Sequence, residues 1–162
     1  LSLGQMWSGP APDEAVQALA QSPEIAALAD RLEQRRLPVA EAEAEIAAFA
    51  QGADNARLTA LMVAIFDRVE PDRSALIEGI ARYGHKQVAL AARIEDDRHK
   101  MAALEAAATP DFDAIDAQEE QLDWDTRIFQ DRQQALTYVC ETPVLLEQRV
   151  FALARAIAAG LK

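Results

Sequence analysis

Cysteine occurs once in these 162 residues, at position 140, which excludes a disulfide framework within one chain. The six glycines are isolated, so no glycine-rich phosphate loop can be assembled from them. There are four serines, and none stands in a Gly-x-Ser-x-Gly elbow, the strained turn that exposes a nucleophilic hydroxyl. β-Branched residues never form a run, which leaves strands little to grow from. The longest strongly apolar stretch, Leu61 to Phe66, is far short of the ~18–20 residues that span a bilayer. Positive charge is also in deficit: 16 basic residues face 27 acidic ones, for a net charge of −11. The basic residues are interspersed with acidic ones rather than gathered, so a phosphate backbone would be repelled and nucleic acid is not an expected partner.

What remains is helix-forming material. Half the residues are hydrophobic, yet only 6% are aromatic, and alanine, the best intrinsic helix former, is abundant. The expected fold is all-α. Proline supplies the punctuation: Pro12, Pro23, Pro38, Pro71, Pro110 and Pro143 each precede a helix-compatible run, most with an acidic residue close behind. A proline at the first helical position loses no hydrogen bond, and an acid there suits the helix dipole. Short helices are expected near 12–21, 23–36 and 38–51, then a helix from Asp54 or Asn55 to about Val69. A long segment from 71 to about 107 follows, its apolar side marked by Leu76, Ile80, Gln87, Ala91, Ile94, Met101 and Leu104. A turn is expected at 108–113.

The final third carries the sharpest pattern. Ile115, Leu122, Phe129, Leu136, Pro143, Val150 and Ile157 recur every seven residues, placing one side chain per two turns on a single seam. Val139, Leu146 and Leu153 fill the companion position, whereas Gln118, Asp125 and Arg132 are polar there. The seam is therefore expected to be well formed towards Ile157 and frayed between Asp113 and Arg132. Pro143 is expected to divide this stretch into two helical segments. The organisation that follows is residues 1–11 as a tether or an arbitrary start of the chain, 12–52 as short N-terminal helices, and 53–162 as a long antiparallel, coiled-coil-like hairpin on which they pack, all in one folded unit. The opening LSLGQMWSGPAP is apolar and then Gly/Pro-bearing. It suggests a tether after an upstream signal or anchor, an exported or membrane-tethered setting, and membrane contact only through that upstream segment.

Candidate sites are few. His85 and His99 lie about 21 Å apart on one helix and cannot share a metal. Glu95 and His99 share a face, with Asp96 as the nearest third ligand, while a stable site needs about four; a solvated ion pair is the simpler reading. The acidic run Asp111, Asp113, Asp116, Glu119, Glu120, Asp123 and Asp125 fails the calcium-loop pattern, because the positions that need an oxygen ligand and a glycine hold Ile115 and Asp116. Cys140, set in the apolar seam, reads as a packed small hydrophobe or as an intermolecular disulfide. Trp124, flanked by Asp123 and Asp125, reads as a partner or dimer contact, or as packing against the N-terminal helices. No cofactor is expected, and neither a catalytic nor a metal site is assigned.

The layout from Val69 to Ile157 resembles the periplasmic helical-hairpin proteins of bacterial envelope stress and heavy-metal sensing. The likeness rests on the proline-opened long helix, the turn at Phe112-Asp113, the Arg/Gln-rich segment from Arg127 to Gln134, and Thr142-Pro143 followed by Glu147-Gln148. It implies two long antiparallel helices in a dimer outside the cytoplasm. The group's Leu-Thr-x-x-Gln motif is replaced by Glu141-Thr142-Pro143-Val144-Leu145, and the several His and Glu ligands of the metal-sensing branch are missing, so the resemblance carries architecture and no site. The function expected is a non-enzymatic protein-interaction domain, as an adaptor, chaperone-like or sensor protein, that binds a protein partner and forms a homodimer. Leu122, Trp124, Phe129 and Arg132 are its candidate contacts. The alternatives are a metal- or small-molecule-responsive sensor using Glu95, Asp96 and His99, and a structural component of an envelope or secretion assembly.

Overall fold

The computed structural model describes residues 1–162 and is all-α. Six helices run in order: α1 Leu3–Met6, α2 Glu14–Ala20, α3 Pro23–Leu32, α4 Val39–Gly52, α5 Asn55–Glu105 and α6 Phe112–Ala158. Their starts follow from local chemistry. The Asp13 carboxylate accepts the Val16 N–H at 2.8 Å, Pro23 takes the first turn of α3, and the Asp54 carboxylate accepts the Arg57 N–H at 2.9 Å. Each relieves a backbone donor that the first helical turn leaves without a partner.

Two of the expected breaks are absent. Pro71 lies inside α5 and Pro143 inside α6, so neither opens a fresh helix. Each removes one helical hydrogen bond, a local cost of about 3 kcal/mol, and each helix runs on through its proline.

The chain divides into two compact units. Leu1–Leu76 with Pro143–Lys162 form one, and Ile77–Thr142 form the other; α5 and α6 contribute to both. The core of the first unit is built from the start of α5, where Leu58, Leu61, Met62 and Ile65 are fully buried, joined by Ile25, Leu32, Ile46, Leu153 and Ile157. Each such side chain withdrawn from water contributes about 1.5–3 kcal/mol. Met6 and Trp7 are buried in the same core, so residues 1–11 are part of the packed structure rather than a free tether. Trp7 also donates its indole N–H to the Pro10 carbonyl at 2.9 Å. Arg149 is buried without any carboxylate beside it. Its guanidinium donates twice to the Leu32 carbonyl, at 2.9 and 2.6 Å, and once to the Leu37 carbonyl at 2.8 Å. It thereby meets the negative end of α3, while burial pushes its pKa below the usual arginine range.

The second unit is a hairpin of two antiparallel helical segments joined by residues 106–111. Ile80, Tyr83, Gln87, Leu90, Ile94, Asp97, Met101 and Leu104 of α5 are all buried or half-buried, and their spacing alternates between three and four residues. The α6 side has the same alternation through Ile115, Gln118, Leu122, Asp125, Phe129, Arg132 and Leu136, again all buried or half-buried. This is the seam geometry of paired helices. It corrects the expected α5 stripe at one place: Ala91 is exposed, and Tyr83, Leu90 and Asp97 belong to the seam instead.

Candidate interaction face

Two of the three polar positions of the α6 seam, Gln118 and Asp125, find partners across the hairpin. Asp125 is 1% exposed, and its carboxylate accepts two hydrogen bonds from the Arg93 guanidinium, at 2.8 and 2.5 Å. Gln118 donates to the Asp97 carbonyl at 3.5 Å, and Gln87 donates to the Phe129 carbonyl at 3.0 Å while its own Oε1 stays buried without a partner. Partners move backward along α6 as they move forward along α5, as an antiparallel pair requires. Asp97 is held by Lys100 at 2.8 Å; that hydrogen bond keeps the Asp97 carboxyl below its ordinary pKa and raises the pKa of Lys100. The stretch from Gln118 to Phe129, expected to be frayed, is thus paired within the hairpin. Polar pairs inside an apolar seam fix register, since any slip would bury a charge without its partner.

This separates the four candidate contacts. Leu122, Phe129 and Arg132 are half-buried in the seam. Trp124 is two residues from Leu122, on another side of the helix, and is 60% exposed. Tyr138 and Phe112 are similarly exposed. Cys140 is exposed as well and is not the packed small hydrophobe that its sequence setting suggests.

The segment that presents Trp124 is helical for legible reasons. The Asp111 carboxylate accepts the Ala114 N–H at 3.1 Å, and Asp113 sits in the first turn, where the dipole favours an acid. Between Asp111 and Arg127 there are seven carboxylates and one cation. Asp125 is committed to Arg93 and Asp111 to the cap. Asp113, Asp116, Glu119, Glu120 and Asp123 are exposed and form no ion pair.

The acid–histidine pair on α5 is a surface contact. Glu95 and His99 approach to 3.6 Å with both side chains largely exposed, and no group of three or more His, Cys, Asp or Glu residues is placed to hold a metal ion. Glu95, Asp96 and His99 are therefore not brought together as a ligand set. No helix is long and apolar enough to cross a membrane.

The fold defines an all-α protein with a long helical hairpin. Comparison with protein families, with characterised proteins and with solved structures gives no match.

Proposed function

We propose that the chain is a non-enzymatic helical interaction module that binds a protein partner through the outward face of α6. The observation that carries this reading is Trp124, held 60% exposed on a regular helix when neighbouring Leu122 and Phe129 turn inward. A large exposed aromatic on a rigid element is the side chain most often central to protein interfaces, because it supplies contact area at little conformational cost. Leu122, Phe129 and Arg132, half-buried in the seam, serve this face indirectly, by turning Trp124 outward. An adaptor, chaperone-like or sensor role fits such a module, as does a place in an envelope or secretion assembly. An exported or membrane-tethered setting belongs to the same proposal, in keeping with the likeness to the envelope-stress group.

A second reading, self-association, is favoured by α5. Ile77 and Val88 are exposed, Val88 by 71%. Ala81, Gly84 and Ala91 fall between and beyond them at the same three-and-four spacing. Small residues of this kind let another helix approach closely.

Both readings are tested by placing a photo-cross-linking amino acid at position 124, 138 or 88 in the source cell, with position 103 as an exposed control. The interaction reading expects a discrete adduct at 124 or 138 and none at 103. An adduct at 88 with twice the chain's mass identifies a homodimer. Equal, diffuse labelling at all four positions overturns both.

A further inference from the structure

We propose that the Trp124 face of α6 takes a Lys- or Arg-bearing polypeptide segment of its partner; this rests on the interaction reading above and names the chemistry of the occupant. Trp124 is 60% exposed, and an indole face attracts cations, Arg and Lys foremost. The carboxylates around it point to the same class of ligand. Asp116 and Glu120 stand two turns and one turn before Trp124 along the helix, and Asp123 is adjacent; all three are exposed and free of ion pairs. With Trp124 and Arg127 they line one shallow depression on the helix.

Charge decides among the possible occupants. Nucleic acid and anionic lipid surfaces are repelled by this face. A second copy is disfavoured here too, because each chain carries a net charge of −11 and an isologous contact would set acid rows against acid rows. A bare metal ion lacks a converging ligand set. A cationic side chain on a polypeptide meets both parts of the face at once: its charge lies over the indole, and its donors face the carboxylates of Asp116, Glu120 and Asp123, which precede Trp124 along the helix.

The test uses the full chain and a fluorescein-labelled nona-arginine peptide, followed by anisotropy at about physiological ionic strength. Wild type is expected to bind it. Trp124→Ala, which leaves the charge unchanged, should weaken binding about five- to tenfold. Asp116→Asn/Glu120→Gln/Asp123→Asn should weaken it by at least about tenfold. A control with the same charge removed elsewhere, Glu41→Gln/Glu43→Gln/Asp67→Asn, should stay within about twofold of wild type. Circular dichroism confirms folding of each variant. The proposal is overturned if wild type does not bind, if Trp124→Ala binds like wild type, or if the control loses as much affinity as the face variant. A cross-link at position 124 without nona-arginine binding would keep the interaction reading and sink the basic occupant.

Discussion

Arg93 reaches across the hairpin and closes both guanidinium hydrogen bonds on the carboxylate of Asp125, which is almost wholly withdrawn from water. The arginine itself remains 58% exposed, so it acts as a lid on a charge that could not otherwise be buried. Arg93→Ala should cost about 2–4 kcal/mol, since it strands the carboxylate in the seam. Arg93→Ala/Asp125→Leu should recover most of that loss, because an apolar residue suits the position once the charge is gone. Urea denaturation followed by circular dichroism measures both. A single variant as stable as wild type would mean that Asp125 is not buried.

Leu122 and Trp124 should respond oppositely to the same insult. Leu122→Asp puts an unpaired charge into the seam and is expected to destabilise the hairpin by about 2–3 kcal/mol. Trp124→Asp should change stability by no more than about 0.5 kcal/mol while abolishing the cross-link at that face. Thermal melts of the two variants side by side decide the matter. Equal destabilisation would place Trp124 in the core after all.

Two glycines make a matched pair. A Cβ added at Gly84 meets no atom within 4 Å, and the residue sits inside a helix at ordinary φ. Gly84→Ala should therefore stabilise by about 0.5–1 kcal/mol through helix propensity. At Gly160 the added Cβ would lie 2.8 Å from the Ala50 Cβ and 3.4 Å from the Leu58 Cδ1. That clash forces either α4 or the end of the chain to shift, and Gly160→Ala should destabilise by about 1–3 kcal/mol. Melting temperatures moving in opposite directions are the expected result.

Acid should act on the hairpin through Asp97. Its carboxyl titrates below the ordinary 3.8, chiefly because Lys100 hydrogen-bonds the charged form. A group depressed in the folded state adds stability that is complete above the unfolded pKa, and that stability is lost as pH falls through the folded value. Stability should thus decline below about pH 4, and Asp97→Asn should flatten part of that decline while leaving the neutral-pH melting profile closer to the acid one. An unchanged slope in the variant between pH 4 and pH 2 would assign the acid sensitivity elsewhere.

The all-α fold was legible because its signals are local: alanine richness, proline and acid at helix starts, and a seven-residue repeat that needs no partner to be seen. The continuity of α5 and α6 was not. Pro71 and Pro143 read as boundaries, whereas each helix runs on through its proline, which no local pattern reports. The α5 seam was half legible for a related reason. Asp97 occupies a core-facing position that an apolar periodicity steps over, and between Gln87 and Ile94 the pattern fits Ala91 as well as Leu90, of which only Leu90 is buried. The polar positions Gln118 and Asp125 read as fraying in the sequence, because their partners, Asp97 and Arg93, lie on the other helix. Trp124 stands out in the sequence as a large aromatic among acids, whereas its exposure follows from the orientation of the seam.

The hydrogen bonds from Arg149 to Leu32 span 117 positions of the chain, and with Val150, Leu153 and Ile157 they seat residues 143–162 in a core otherwise built from Leu1–Leu76. During synthesis, which adds about 5–20 residues per second, the earlier helices emerge seconds before the segment that completes their burial. The intervening hairpin, made of contacts nearer in sequence, can close first and bring the two portions together, which lessens the loop-closure entropy still to be overcome. Nascent chains stopped before Pro143 should then leave the first seventy-six residues protease-sensitive, even though those residues contain most of the side chains that the finished core will bury.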